Sequence, residues 1–322
     1  MSQTPFRYQR ATSVAHASEL LAAGDARPLG GGTDLLVSLE EGVEHADVLV
    51  DLRSLPDGHT ITELPSGALR IGAGTRIDTI ATHPLITARF AALAQACAAV
   101  GTPALRNMGT LGGNLCQRPR CWYLRRAVPC LKNRGDSCPA RAGENQYLAI
   151  LDGGPCFIVH PSDPAVALSA LEAVIEIAGP AGSRRVHIAD FFVLPSERLD
   201  RETVLADDEF VVAVEVPSHS AGGRQFYRKL MQRDAWDFAL VSIAAIRRDD
   251  GDVRLFLGGV APRPYRVNSS VEEDIASGGL DEESMGALAQ RALYDAEPLS
   301  KNGYKVTLAE SLLRDAMREL GA

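Results

Sequence analysis

Four of the six cysteines lie in one stretch, GNLCQRPRCWYLRRAVPCLKNRGDSC, from Gly113 to Cys138. The same stretch holds Arg118, Arg120, Arg125, Arg126, Lys132 and Arg134 against one acid, Asp136. Thiolates ligate metals, and in a reducing compartment clustered cysteines are more often ligands or redox groups than disulfides. Cys116 and Cys121 are separated by four residues, Cys121 and Cys130 by eight, Cys130 and Cys138 by seven, and Cys156 follows after seventeen more. This is not the paired C-x2-C pattern of most structural zinc sites. Wide, irregular spacing suits the separated corners of an iron–sulfur cube wrapped by loop, with the flanking cations offsetting the charge of a thiolate-ligated cluster. Zinc, or several buried free thiols, are the competing readings. Cys97 sits on an Ala-rich helical run and reads as packed core.

Two glycine-rich segments offer a second chemistry. In LGGGTDLL, Leu29 to Leu36, three glycines between a strand and a helix let backbone N–H groups approach an anion. Thr33 is placed to cap that helix or to hydrogen-bond a phosphate. The spacing is neither G-x-G-x-x-G nor a Walker loop, so a ligand-free tight turn is the alternative. TLGGN, Thr110 to Asn114, adds a second Gly pair. Two such loops suit the pyrophosphate of a dinucleotide. His160, beside Pro161 and Asp163, is the one histidine near other candidate site residues, and a lone histidine is usually structural. No Ser/His/Asp motif, H-E-x-x-H or kinase signature is present.

The elements that must position these residues alternate strand and helix. SVAHASELLAAG reads as a helix, ARPL as a strand before the Gly turn, ADVLVDL as a strand, and ALRIGAGTRIDTIATH as strand, turn and helix. ITARFAALAQACAAV reads as one amphipathic helix. The cysteine segment, broken by Pro119, Pro129, Gly135 and Pro139, resists a periodic reading. HPSDPAVALSALEA resumes as a helix, AVIEIAG and RRVHIADFF are strand-like, and EFVVAVEVP is a strong strand. The Ser/Gly-rich SHSAGGR marks a domain boundary near residue 220. Beyond it, FALVSIAAIRRDDGDVRLFLGGV is a hairpin, and a polar stretch and two helices close the chain.

The chain has 322 residues, enough for two domains, and its formal net charge of −8 argues against general nucleic-acid binding. No apolar run reaches the roughly 18 residues of a membrane span. MSQTPFRYQR lacks the apolar core of a signal peptide, so a cytoplasmic setting is expected, with export only if a partner carries the signal.

LGGGTDLL, TLGGN and the cysteine segment, in that order, resemble the flavoprotein (medium) subunit of the xanthine dehydrogenase and carbon monoxide dehydrogenase family. RNMGTLGGNLCQRPRC, GENQYLAILDGGPCFIVHPSDPAVAL and YRKLMQRDAWDFALVSIAA are close to that family's patterns, and the resemblance covers nearly the whole chain. The cysteine loop resembles the branch whose flavin subunit carries an added 4Fe–4S cluster. That branch includes the aldehyde oxidoreductase flavin subunit and the 4-hydroxybenzoyl-CoA reductase beta subunit, the former being closer through CPAxxGEN and HPSDPAVAL.

The resemblance implies an α+β fold. A two-subdomain FAD-binding domain of the vanillyl-alcohol-oxidase type would span 1–219, with subdomains of about 1–57 and 58–219 and a cysteine loop at 116–156. A smaller α+β domain would follow at 220–322. It implies that Leu29, Gly30, Gly31, Gly32, Thr33 and Asp34, with Thr110, Gly112, Gly113 and Asn114, hold the FAD pyrophosphate and ribityl regions. Asp163 and Lys229 would approach the flavin. Cys121, Cys130, Cys138 and Cys156 would ligate the cluster, leaving Cys116 a fifth, unligated thiol. The implied partners are a molybdenum-cofactor large subunit and a 2Fe–2S small subunit, with an external acceptor beyond them. A self-sufficient flavin oxidoreductase and a non-catalytic zinc-binding assembly module are the other functional classes. The first needs an acid/base residue over the flavin, and no such constellation is visible.

Overall fold

The structure is a computed structural model that describes residues 5–321. Three short strands, Arg7–Arg10, Ala26–Leu29 and Val48–Asp51, form a parallel sheet with Val48–Asp51 in the middle. The middle strand is buried along its whole length because both faces are covered. Val48 and Val50 pack with Ala17 and Leu21 of the helix Val14–Ala22. Leu49 points the other way, toward Leu35 and Leu39 of the helix Leu35–Glu40.

A five-stranded antiparallel sheet follows, in the order Ile61–Glu63, Leu69–Gly72, Phe210–Val216, Val174–Gly179, Gly182–His187. The strand Phe210–Val216 thus enters the sheet from far along the chain and pairs on both sides. Helices Ile77–Thr82, Pro84–Arg89, Ala91–Ala98 and Asp163–Ala170 share its core.

The last sheet is antiparallel, in the order Tyr265–Arg266, Val253–Gly258, Val241–Arg247, Arg224–Leu230. Strand alternation gives it two apolar faces. Phe226, Ile243, Ala245, Leu255 and Leu257 share a core with the closing helices. Tyr227, Ala244, Ile246 and Phe256 join the core of the preceding unit, against Ala91–Ala98 and Asp163–Ala170.

The observed α+β architecture departs from the sequence reading in four places. The run from Ile86 to Val100 is two helices, because Phe90 leaves helical geometry (φ −134°, ψ 55°) and is wholly buried. Three helices close the chain, Ser269–Ser277, Glu282–Ala292 and Tyr304–Leu320. The first of them hides in the polar stretch, capped by Asn268 and buried through Val271 and Ile275. TLGGN is not an open loop: Thr110 caps a short helix, Leu111–Leu115, by accepting from the Gly113 N–H at 3.3 Å. The cysteine segment contains one short helix, Trp122–Arg125, and a 3-10 turn, Pro139–Arg141. No helix among the described residues is long and apolar enough to cross a membrane.

Candidate functional site

A cleft of about 790 Å³ runs between the three units, within the size range of small-molecule sites. Gly30, Gly31, Gly32, Thr33 and Asp34 line it from the first sheet. Thr110, Gly113 and Asn114 line it from the second unit, with Asp163 at a helix start and Lys229 on a strand of the last sheet. Leu29 and Gly112 lie behind it. Leu29, at the end of its strand, is buried with Leu49 against Leu35 and Leu39, and a Cβ on Gly112 would stand 2.9 Å from the Ala73 Cβ.

The N–H groups of Gly31, Gly32 and Thr33 donate to no protein acceptor among the described residues, so the turn presents donors to the cleft. The glycines also have a second cause, which sequence reasoning missed. A Cβ on Gly31 would sit 1.9 Å from the Met108 carbonyl oxygen, and one on Gly30 2.6 Å from the Thr110 hydroxyl. The two Gly-bearing segments therefore pack directly on each other. Thr33 does not cap the following helix; Asp34 holds that position and makes no capping bond.

Asp34 is engaged elsewhere. Its carboxylate accepts from the Arg118 N–H at 2.8 Å and from Arg125 at 3.1 Å, and it pairs with Arg120. Arg125 also reaches Glu41 at 3.0 Å, and Arg118 pairs with Glu44 and with Glu202, the latter at 2.7 Å. These cations were expected to offset sulfur charge. Instead Arg118, Arg120 and Arg125 fasten the cysteine segment to the Gly turn and its helix, while Arg126 and Arg134 are exposed. Lys132 does both: it pairs with Glu202 at 2.8 Å and favours the thiolate of Cys156.

The thiols fall into two groups. Cys156 donates to Cys138, which holds the Cys138 thiol down and pushes Cys156 up. Burial pushes Cys121 up, and the nearby Cys138 and Cys130 add to it. Cys116 is pushed up to about 12 by burial, and Cys97 is raised by burial and by Asp163; no thiol features among the causes for either. All six are free.

Asp163 is buried beside the cleft. Burial pushes its carboxyl up, while Lys229 at 2.8 Å and the Tyr227 hydroxyl at 2.7 Å pull against that. Lys229 also donates to the Ala99 carbonyl at 3.1 Å, so one of its three protons remains for the cleft it lines. Ser162 ties this helix to the second Gly segment: its hydroxyl accepts from the Ala165 N–H at 3.1 Å and donates to Asn114 Oδ1 at 2.5 Å. His160 is buried, and its Nε2 has no hydrogen-bond partner among the described residues. Burial lowers its pKa to about 4, its Nδ1 accepts from the Ser162 N–H, and its ring meets Phe192 edge-on.

Sequence reasoning passed over Trp236 and Phe238, which stand exposed at the cleft. Their signal was two aromatics in a polar link between strands, with Trp236 at φ +56°. A second chamber of about 310 Å³ adjoins the cleft, with Cys121, Trp122 and Tyr147 on one side and Asp163 and Phe238 on the other.

Residues 4–219 match the family model described as the FAD binding domain in molybdopterin dehydrogenase, and 226–320 match the CO dehydrogenase flavoprotein C-terminal domain. The aldehyde oxidoreductase FAD-binding subunit PaoB of Escherichia coli K12 is 35% identical, with 98% of each chain covered. The carbon monoxide dehydrogenase medium chain of Hydrogenophaga pseudoflava is 27% identical over 97% of this chain and 96% of its own. A solved structure of carbon monoxide dehydrogenase from the same organism superposes with a TM-score of 0.76 at 25% identity, covering 99% of this chain and 98% of that one. Quinoline 2-oxidoreductase from Pseudomonas putida 86, at 23% identity, shares the fold with a TM-score of 0.77, covering 100% and 98%. The cleft and its two Gly-bearing walls thus lie in a chain that belongs to the FAD-binding medium subunits of the xanthine and carbon monoxide dehydrogenase family of molybdenum hydroxylases.

Proposed function

We propose that this chain is the FAD- and 4Fe–4S-bearing electron-transfer subunit of an aldehyde-oxidoreductase-type molybdenum hydroxylase. It would take electrons from 2Fe–2S clusters of a small subunit, downstream of a molybdenum large subunit, and pass them to an external acceptor. The observation that carries this reading is the single cleft in which both Gly-bearing segments, Asp163 and Lys229 converge. Free N–H groups on the Gly turn suit a pyrophosphate, and Gly113 and Asn114 suit the adjoining ribityl chain. Lys229 holds a proton toward the cleft and Asp163 holds Lys229 in place. Cys121, Cys130, Cys138 and Cys156 would ligate the cluster by the family resemblance, although among the described residues no three His, Cys, Asp or Glu side chains are grouped as metal ligands are. When bound, FAD supplies a two-electron carrier and the cluster a one-electron relay. We further propose the division 1–219, with subdomains of about 1–57 and 58–219, and 220–322, and a cytoplasmic setting unless a partner carries an export signal.

The assembled complex should show flavin absorption with a broad iron–sulfur shoulder and about four irons per chain beyond those of the small subunit. Flavin alone would favour a self-sufficient flavoenzyme, and zinc with neither chromophore an assembly module.

Two glycine variants separate packing from ligand binding. Gly31→Ala is expected to cost about 1–3 kcal/mol through the clash with Met108, and to lose FAD as a consequence. At Gly113 a Cβ meets only the Thr110 hydroxyl, at 3.1 Å, on the cleft wall. Gly113→Val should keep the melting temperature within about 2 °C while weakening FAD roughly tenfold. Full FAD retention in Gly113→Val, measured by titration, would remove the ligand from this wall.

A further inference from the structure

Lys305, in the first turn of the closing helix Tyr304–Leu320, is 0% exposed and pairs with no carboxylate among the described residues. Its ammonium donates to three backbone carbonyls: Tyr147 at 2.9 Å, Leu148 at 3.0 Å and Gly259 at 2.7 Å. Burial pushes it down to about 7, while three carbonyl acceptors favour the charged form. An apolar side chain of similar volume would strand the Tyr147 and Gly259 oxygens and leave Leu148 with Asn302 alone.

The neighbouring residues repeat the pattern. Asn302 donates to the Leu148 and Ala149 carbonyls, each at 3.1 Å. Asn145 accepts from the Lys301 N–H at 2.9 Å and donates back to the Ala140 carbonyl at 3.0 Å. The turn KNGYK, 301–305, therefore grips residues 145–149, the limb by which the cysteine segment returns between Cys138 and Cys156. Tyr147, Leu148 and Gly259 all line the chamber beside the cleft, and the Tyr147 ring faces Trp122, next to Cys121, at 5.5 Å.

We propose that Lys305 is a positioning residue. Its ammonium pins the Tyr147–Leu148 wall to Gly259, and so fixes the return limb of the cysteine segment and the chamber between Cys121 and Asp163. A residue of the C-terminal sheet-and-helix unit thus sets geometry beside groups that lie mostly outside it. In linking that wall to cofactors, the inference rests on the reading above.

The test uses the full chain in a Trp236→Phe background, which leaves Trp122 as the only tryptophan. In Lys305→Met the near-UV dichroism of the Trp122–Tyr147 pair should fall by half or more. Amide exchange at 145–149 should accelerate at least about tenfold more than at 309–317 in the closing helix. Asn145→Ala, which leaves Lys305 in place, should give the same local signature at smaller amplitude, and serves if Lys305→Met does not fold. Uniform acceleration in both segments with an unchanged Trp122 signal would overturn the proposal, as would no change in either. Iron is measured on the same samples. A parent protein without iron whose Trp122 signal still responds sinks the cluster reading and upholds the positioning role.

Discussion

Replacing any one of Cys121, Cys130, Cys138 or Cys156 by serine should remove most of the 4Fe–4S iron and acid-labile sulfide. Cys97→Ser and Cys116→Ser should leave both largely in place. A cube needs four thiolates, and a serine hydroxyl ionises far above the physiological range, so one missing corner leaves an incomplete cluster. The assignment follows the family resemblance, and the thiols' surroundings agree with it: Cys138 is held down and Cys156 pushed up by each other, Cys138 and Cys130 add to the rise of Cys121, and no thiol acts on Cys116 or Cys97. Iron and sulfide assayed per chain across the six variants decide the set. Zinc in anaerobically prepared parent protein would end the cluster reading. The ligand variants should also hold FAD less well, because Arg118, Arg120 and Arg125 tie the cysteine segment to Asp34 at the edge of the Gly turn. A slack segment no longer supports that wall of the cleft.

The second large effect is expected from Lys229→Met. It strands a buried carboxylate, since Asp163 keeps only the Tyr227 hydroxyl. Breaking a buried pair on one side typically costs about 3–5 kcal/mol. The carboxyl is already raised by burial, and without the ammonium it rises further. A group whose folded-state pKa is raised stabilises the fold only while protonated. The deficit of the variant should therefore be largest at neutral and alkaline pH, and shrink as acid protonates Asp163. Denaturant unfolding of parent and variant at pH 5 and pH 8 measures this. A deficit that is equal at both values, or absent, would mean that Asp163 is not held ionised by Lys229. Lys229→Met with Asp163→Leu should recover much of the stability, because removing both charges leaves none unpaired.

The parts legible in the sequence were those written in local pattern. Short apolar runs gave Phe210–Val216 and, joined by the polar Asp249–Asp252 turn, the Val241–Gly258 hairpin, and three consecutive glycines after a strand gave the turn at Gly30–Gly32. What stayed hidden depends on partners distant in the chain. Arg120 and Asp34 are 86 residues apart, so a cationic loop looked like a counter-charge for sulfur when most of its arginines serve carboxylates. Nothing near Gly31 announces that Met108 will lie against it. The break at Phe90 is equally invisible, because helix-forming residues continue on both sides and only the buried ring requires the turn. Asp163 and Lys229, 66 residues apart, became a pair only once their helix and strand were packed together.

The late entry of Phe210–Val216 between Leu69–Gly72 and Val174–Gly179 has a consequence for biosynthesis. Residue 72 leaves the ribosome well before residue 216, by roughly 7–30 s at ordinary elongation rates. Throughout that interval the central sheet lacks its middle strand, and Lys229 has not yet emerged. The thiols at 121, 130, 138 and 156 therefore emerge onto an open scaffold, and the cleft closes only after the last of them is out. A cofactor-loading factor that meets the chain during synthesis finds all four sulfurs accessible, whereas one that meets the finished fold finds Cys130 and Cys156 already buried.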